Sequence, residues 1–287
     1  MTFACLGPLT EFTPVAFDMP AGATDTHSHV IGLPPEYPFV PERSYTPPEA
    51  SLTSYQAMHL ALGIERAVIV TPSCHGTDNR ITLEAIAGYG PNARGIAVVE
   101  EDISDAELTR LHEGGMRGLR LNVLFGGGVG LQAFRPLAER IKDMGWHVQL
   151  LIDVTQNLEA LAPDIRAMGV PIVIDHMGHF PVAMGLENAG CRLMLDLVRD
   201  GIAWVKLSGC DRISEKHPVY ADAVPLAQML IEAGPERMVW GTDWPHVSKA
   251  ANMPDTGALL NRLVDYAPDS DVRRAILVDN PAKLYGF

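Results

Sequence analysis

Basic residues are scarce in this chain of 287 residues, where 22 Lys and Arg stand against 35 Asp and Glu for a formal net charge of −13. Phosphate recognition needs clustered cations, and none are clustered here, so nucleic acid is not an expected partner. Cysteine is scarce too. Cys5, Cys74, Cys191 and Cys210 are far apart and form no CxxC pair, which argues against a structural zinc knuckle or a disulfide framework. No apolar run reaches the roughly eighteen residues of a membrane span, and MTFACLGPLTEFTP lacks the basic region and apolar core of a secretion signal. The expected partner list therefore excludes membranes, and the expected location is cytoplasmic. The serine-hydrolase elbow GxSxG is absent, and the GGG at 126–128 lacks the lysine and hydroxyl of a phosphate loop. Those three glycines read instead as a source of freedom for the loop that carries them.

What is present is an alternation of short apolar runs with helical patterns. Strands are predicted at Ala23–Val30, Arg66–Thr71, Ala93–Val99, Met116–Val123, His147–Ile152, Pro171–Asp175, Ile202–Leu207 and Arg237–Gly241. Several are almost continuously hydrophobic, as parallel strands covered on both faces must be. Helices are predicted at Leu52–Leu62, Leu131–Met144, Asn157–Met168, Cys191–Asp200, Val219–Ala233 and Asp271–Leu277, with Asn280 and Pro281 as a stop before the tail. Eight strands separated by helices predict an α/β fold, a single (β/α)₈ TIM-type barrel over residues 1–287. The prolines of Leu33–Pro48 predict a long loop overhanging the C-terminal ends of the strands, the face on which such barrels carry their chemistry.

Polar residues stand where the apolar runs stop. Asp25, His27 and His29 occupy alternate positions and so should share one strand face. PIVIDHMGH ends in Asp175 and His176, VKLSGCDR carries Ser208 and Arg212, and VWGTDWPH delivers Asp243. Any one of these could merely lock a loop; His27, His29, His176 and Asp243 together point to a reaction centre. Those four could hold a zinc ion, His27, His29 and Asp243 as ligands with His176 as a fourth. Against a bridged pair of metals, the fourth strand offers Arg120 where a bridging carboxylate or lysine would be needed, and His147 begins its strand, at the opposite end of the barrel. A guanidinium repels a divalent ion and binds carboxylates bidentately. Arg120 and Arg212 are the candidate anion binders, with Arg117 on a different face. Tyr45, Ser73 and His75 could add polar contacts. Cys74 is a poor nucleophile candidate, because it points away from the adjacent His75.

DTHSHVIG, SCHGTDN, GGMRGLRLN, VIDHMG, WGTDWPH and the terminal NPAKLYGF resemble the amidohydrolase superfamily, and more narrowly the 2-pyrone-4,6-dicarboxylate lactonase group. The resemblance runs from Ala21 onward. It implies metal-independent hydrolysis of an anionic lactone from aromatic-compound degradation. It further implies that Asp243 activates water, that His27, His29 and His176 face the carbonyl oxygen and donate hydrogen bonds to it, and that Tyr45, Ser73, Arg120 and Arg212 hold the substrate. Two positions depart from the group. A substrate-binding arginine after the fourth strand is replaced by the FGGG loop, and a tyrosine in the fifth strand by Leu151. Muconolactones, carboxylated or sulfonated, are therefore rival substrates, and relatives that isomerise sugar-acid lactones suggest a further alternative. No cofactor is expected, one zinc ion being the alternative. The assembly expected is a monomer or small homo-oligomer.

Overall fold

The computed structural model describes residues 2–287. Eight parallel strands form one sheet in which each pairs with the next in the chain: β1 (Thr24–Ser28), β2 (Arg66–Val70), β3 (Ala93–Ala97), β4 (Met116–Asn122), β5 (His147–Leu151), β6 (Ile172–Ile174), β7 (Ala203–Lys206) and β8 (Met238–Val239). The ends of this sheet meet. Thr26 N donates to Trp240 O at 3.0 Å, Asp243 N to His27 O at 2.8 Å and His29 N to Trp244 O at 2.8 Å. The result is a nearly closed (β/α)₈ barrel, and all eight strands lie within the predicted runs. Among the described residues no helix is long and apolar enough to cross a membrane.

Helices α1 (Leu52–Leu62), α2 (Arg80–Tyr89), α3 (Asp105–Glu113), α4 (Phe134–Ile141), α5 (Val154–Met168), α6 (Ala189–Arg199) and α7 (Val224–Ala233) cover the outside of the strands. Local chemistry sets their limits. Ser51 accepts from Ser54 N to start α1, and Gly63 at φ 71° ends it in the left-handed conformation that glycine adopts without penalty. The run predicted to start at Val219 becomes helical later, because Tyr220 at φ 54° breaks the helical path.

Period-two alternation sorts the strand residues. Ala67, Ile69 and Ala97 pack outward among helix residues, while Val68, Val70 and Ile96 gather around Tyr285, and Val173, Trp204 and Val239 around Leu284. The C-terminus thus plugs the lower end of the barrel. It can do so because Asn280 and Pro281 begin another helix, Asn280–Tyr285, instead of ending the last one: proline in a first turn sacrifices no hydrogen bond. His147 lies at that same lower end, its ring 5.3 Å from that of Tyr285.

One predicted face is split. The pairing of β1 with β2 shifts register between Asp25 and Ser28, and a bulge of this kind re-aims the side chains beyond it. Asp25 therefore leaves the barrel interior that His27 and His29 enter. Its carboxylate accepts from Tyr55 Oη at 3.0 Å and His59 Nε2 at 3.2 Å on α1, from Thr242 N at 2.8 Å and Thr242 Oγ1 at 2.6 Å, and from His27 N at 3.0 Å. This one group ties α1 to the junction between the first and last strands. Burial raises its pKa, but the hydrogen bonds from His59 and Thr242 outweigh burial and hold it below 3.8. A depressed carboxyl pKa stabilises the fold above the unfolded value and loses that contribution as pH falls through the folded one, so the effect is complete at pH 7. Asp25→Ala leaves several buried donors unpaired and is expected to cost about 3–5 kcal/mol. Urea denaturation at pH 7 measures this; an unchanged midpoint would remove Asp25 from the joint.

Candidate active site

Asp243 follows β8 at the upper end of the barrel. Its backbone is left-handed, at φ 59°, and His176, Met177 and His179 after β6 share that conformation at 50°, 49° and 46°. Strain of this kind on residues with side chains persists only where the surroundings impose it. Here Gly241 makes the close approach possible: a Cβ on it would lie 2.5 Å from His27 N, so any other residue would push the last strand off the first.

The arrangement around Asp243 is compact. Arg212 Nε donates to Asp243 Oδ2 at 2.6 Å, and Arg212 Nη2 to Val247 O at 3.2 Å. Asp243 Oδ1 faces His176 Nε2 at 3.5 Å and His27 Nε2 at 3.8 Å. The His27 ring centroid is 5.1 Å from that of His29 and 4.4 Å from that of His176. His27, His29, His176 and Asp243 are all buried, as is Arg120. The structure therefore brings together the four residues that the sequence singled out as a reaction centre.

Their protonation follows from these neighbours. Burial would raise the Asp243 carboxyl, but Arg212, His176 and His27 hold it well below 3.8. Burial, reinforced by His27 and Arg120, holds His29 well below 6.5, and burial does the same for His176. At neutral pH the centre is a carboxylate among neutral imidazoles. This decides what His29 can do. Its Nδ1 lies 2.8 Å from Val70 O, a carbonyl that only accepts, so the proton of the neutral ring is on Nδ1 and Nε2 carries a lone pair. His29 thus presents an acceptor to the site, where the resemblance led to the expectation of a donor.

The substrate-side candidates fall into three groups. Tyr45 and Ser73 are buried and share a hydrogen bond of 3.2 Å; the Tyr45 phenol, pushed up by burial, feels both Arg120 and Arg212. Arg120 reaches inward from β4, its Nε 3.5 Å from Asp175 Oδ2 and without a hydrogen bond, whereas Arg117 donates to His112 O and Met116 O at the start of that strand. Arg212 spends its Nε on Asp243. His75 turns to the Pro-rich segment instead, its Nδ1 3.3 Å from Pro38 O and its ring 5.3 Å from that of Phe39.

That segment is held down. Tyr45–Thr46 pairs as a short strand with Phe3–Ala4, Val40 N donates to Cys74 O at 2.9 Å, and Gly126 N donates to Ser44 Oγ at 2.7 Å. The glycines of FGGG therefore serve contact more than motion. A Cβ on Gly126 would come within 2.1 Å of Glu42 O, and one on Gly127 within 2.3 Å of Ser73 O. A separate cleft of 470 Å³ lies between 30–37 and α2; Glu36, Glu49 and Glu84 line it, and it suits no anion.

A buried layer that the sequence pattern does not single out, centred on Lys206, lies just below the site. Lys206 on β7 is fully buried, and its Nζ lies 2.6 Å from Gln149 Oε1, 3.1 Å from His27 Nδ1 and 3.2 Å from Asp175 Oδ1. Gln149 Nε2 donates to Asp175 Oδ2 at 2.9 Å. Above that layer, half-buried His179, pulled down to about 4 by burial and then by Arg212, adjoins His176 with ring centroids 5.3 Å apart. The signal for Lys206 was there: Trp204, Lys206 and Ser208 alternate through an apolar strand and continue to the upper end, where Ser208 Oγ meets His176 Nδ1 at 2.9 Å.

Two trios of donor atoms lie close enough for a metal ion, His27 with His29 and Asp243, and His27 with Asp175 and His176. Neither fits one well. Asp243 is already paired with Arg212 and Asp175 with Lys206, and Arg120 stands beside them. A divalent ion here would face three side-chain cations.

Comparison with known proteins agrees with this architecture. The amidohydrolase family model matches residues 24–287. The 4-sulfomuconolactone hydrolase of Hydrogenophaga intermedia is 38% identical over 98% of this chain and 94% of its own. The 2-pyrone-4,6-dicarboxylate hydrolase of Comamonas testosteroni is 39% identical over 94% of this chain and 92% of its own. A solved Acinetobacter baumannii structure with citric acid bound, described as a probable 2-pyrone-4,6-dicarboxylic acid hydrolase, superposes with a TM-score of 0.83 at 27% identity, covering 93% of this chain and all of that one (100%). With the barrel, its strand-end carboxylate and its imidazoles in place, the chain belongs to the amidohydrolase family.

Proposed function

We propose that the protein hydrolyses an anionic lactone of aromatic-compound degradation, 2-pyrone-4,6-dicarboxylate or a carboxylated or sulfonated muconolactone. The observation that carries this reading is Asp243, an ionised carboxylate whose Oδ1 faces two imidazoles while the Arg212 guanidinium holds its Oδ2. The named relatives act on lactones bearing just such anionic groups.

In this mechanism Asp243 Oδ1 takes a proton from water as the oxygen attacks the lactone carbonyl. The His29 Nε2 lone pair offers that water a second acceptor. His27 and His176 donate to the carbonyl oxygen as charge develops on it, which is electrostatic stabilisation by groups already in place. Collapse of the tetrahedral intermediate breaks the ring C–O bond. Asp243 returns its proton to the departing ring oxygen and the new carboxylic acid loses its own to solvent, which leaves a carboxylate and, from an enol ester, an enol that relaxes to its ketone. Arg120 and the Tyr45–Ser73 pair recognise the anionic substituents. A carboxylate with so low a pKa is a weak base, so placement must supply much of the acceleration. No step passes through a metal.

A lactone panel on metal-stripped protein tests this reading: turnover of a pyrone dicarboxylate or a substituted muconolactone at undiminished rate is expected. Activity that disappears on stripping and returns with zinc would replace the water-activating role of Asp243 by ligation. Asp243→Asn should lower kcat by roughly 10²–10⁴-fold with the fold intact by circular dichroism, and wild-type turnover in that variant would end the base assignment. Arg120→Met should lower kcat/KM for a dianionic lactone by about 10–100-fold and leave an uncharged lactone little affected. Equal effects on both would take Arg120 out of substrate recognition.

The pH dependence follows from the depressed pKa of Asp243. Asp243 serves as base only when ionised, and that form is lost only as pH falls through a value well below 3.8. Between about pH 5 and 7, kcat/KM is therefore expected to be flat. An acid limb with an apparent pKa near 6 would place the essential base on a histidine.

A further inference from the structure

The two histidines of THSH cannot do the same work, and what separates them is the buried amine of Lys206. We infer that Lys206 is a positioning residue: its ammonium donates to His27 Nδ1 and so holds the proton of the neutral ring on Nε2, the nitrogen that faces Asp243. His27 is thereby a hydrogen-bond donor to the reaction centre, while His29, with its proton fixed on Nδ1 by Val70 O, is an acceptor.

An ammonium has three protons, and Lys206 Nζ has three acceptors within 3.2 Å: Gln149 Oε1, His27 Nδ1 and Asp175 Oδ1. Gln149 cannot be turned round, because its Nε2 is already given to Asp175 Oδ2 at 2.9 Å, and a reversed amide would set N–H against the ammonium. Asp175 Oδ1 also lies 3.2 Å from His27 Nδ1 and would accept a proton from it. That alternative places an N–H opposite the third ammonium proton and leaves a fully buried cation one acceptor short. With the proton on Nε2 instead, both Asp175 oxygens are still satisfied, by Lys206 and Gln149. His27 Nε2 then has no partner within the protein, although it is buried and turned toward Asp243 Oδ1 at 3.8 Å. A donor so placed suits the oxygen of a polarised carbonyl. Burial, followed by the charge of Lys206, keeps the ring neutral, so that one proton must choose between its two nitrogens.

The catalytic consequence rests on the lactone reading; the tautomer does not. Two-bond ¹H–¹⁵N correlation spectra of histidine-labelled protein at pH 7 report the tautomer directly, with resonances assigned through His27→Asn and His29→Asn. The wild type is expected to show His27 protonated on Nε2 and His29 on Nδ1, and a His27 protonated on Nδ1 overturns the inference without recourse to any variant. In Lys206→Met, His27 should move its proton to Nδ1 and give it to Asp175. With a lactone turned over by the wild type, kcat should fall by about 10²–10³-fold, the size of a lost oxyanion donor, while KM changes less than about threefold. A folded Lys206→Met protein whose His27 stays protonated on Nε2 also overturns it. Absence of turnover on every lactone would refute the proposed function and leave the tautomer assignment standing.

Discussion

The ion pair between Arg212 and Asp243 is the interaction on which the rest of the site depends. A carboxylate this deep in a barrel would take up a proton unless a cation held it, and Arg212 Nε at 2.6 Å is that cation. Engaging Oδ2 leaves Oδ1 as the working oxygen and directs it at His27 and His176. The same pair costs basicity. A base held far below its ordinary pKa gains little from proton affinity, so the surrounding groups must raise the acidity of the attacking water through the electrophile it meets. That is why donors to the carbonyl oxygen carry so much of the proposed reaction.

Charge is organised oppositely inside and outside. The chain as a whole is strongly acidic, at −13, yet the barrel interior sets Arg120, Lys206 and Arg212 against Asp175 and Asp243. Low dielectric surroundings strengthen the field of these buried cations, while solvent screens the surface charge. An anionic lactone is drawn by the pocket, and a divalent cation is disfavoured there for the same reason. Recognition of the substrate and the poor fit to a metal thus share one electrostatic cause.

The barrel was legible because parallel strands buried on both faces must be apolar almost throughout, and eight such runs with helices between them leave few other arrangements. The ends of those runs disclosed His27, His29, His176 and Asp243 for a related reason: a polar residue closing an apolar strand stands out. What stayed hidden depended on geometry that spacing does not encode. The bulge in β1 overrode the alternation that had set Asp25 beside His27. The FGGG glycines were legible as glycines, but whether they gave mobility or close contact turned on Glu42 and Ser73, far away in sequence. Pro281 looked like a stop, although the first turn of a new helix accepts it equally well. Lys206 was the costliest omission, because a lone lysine inside a strand takes its meaning from Gln149 and Asp175 across the barrel.

The lysine behind His27 changes the meaning of a histidine pair at the end of a first barrel strand. An imidazole binds a metal through a lone pair and stabilises an oxyanion through a proton, and the side facing the site can offer only one of these at a time. The choice is made by the atom behind the ring. Behind His29 is a carbonyl, which leaves a lone pair in front; behind His27 is an ammonium, which leaves a proton there. Two imidazoles only two residues apart therefore present opposite polarity to the same substrate, one suited to a water molecule and the other to the carbonyl that the water attacks. Substituting an apolar residue for the ammonium would let Asp175 claim the proton, turn a second lone pair inward, and convert the pair into a better metal ligand than an oxyanion hole. The residue that sets the polarity His27 presents to the site is then one that touches neither the substrate nor the attacking water.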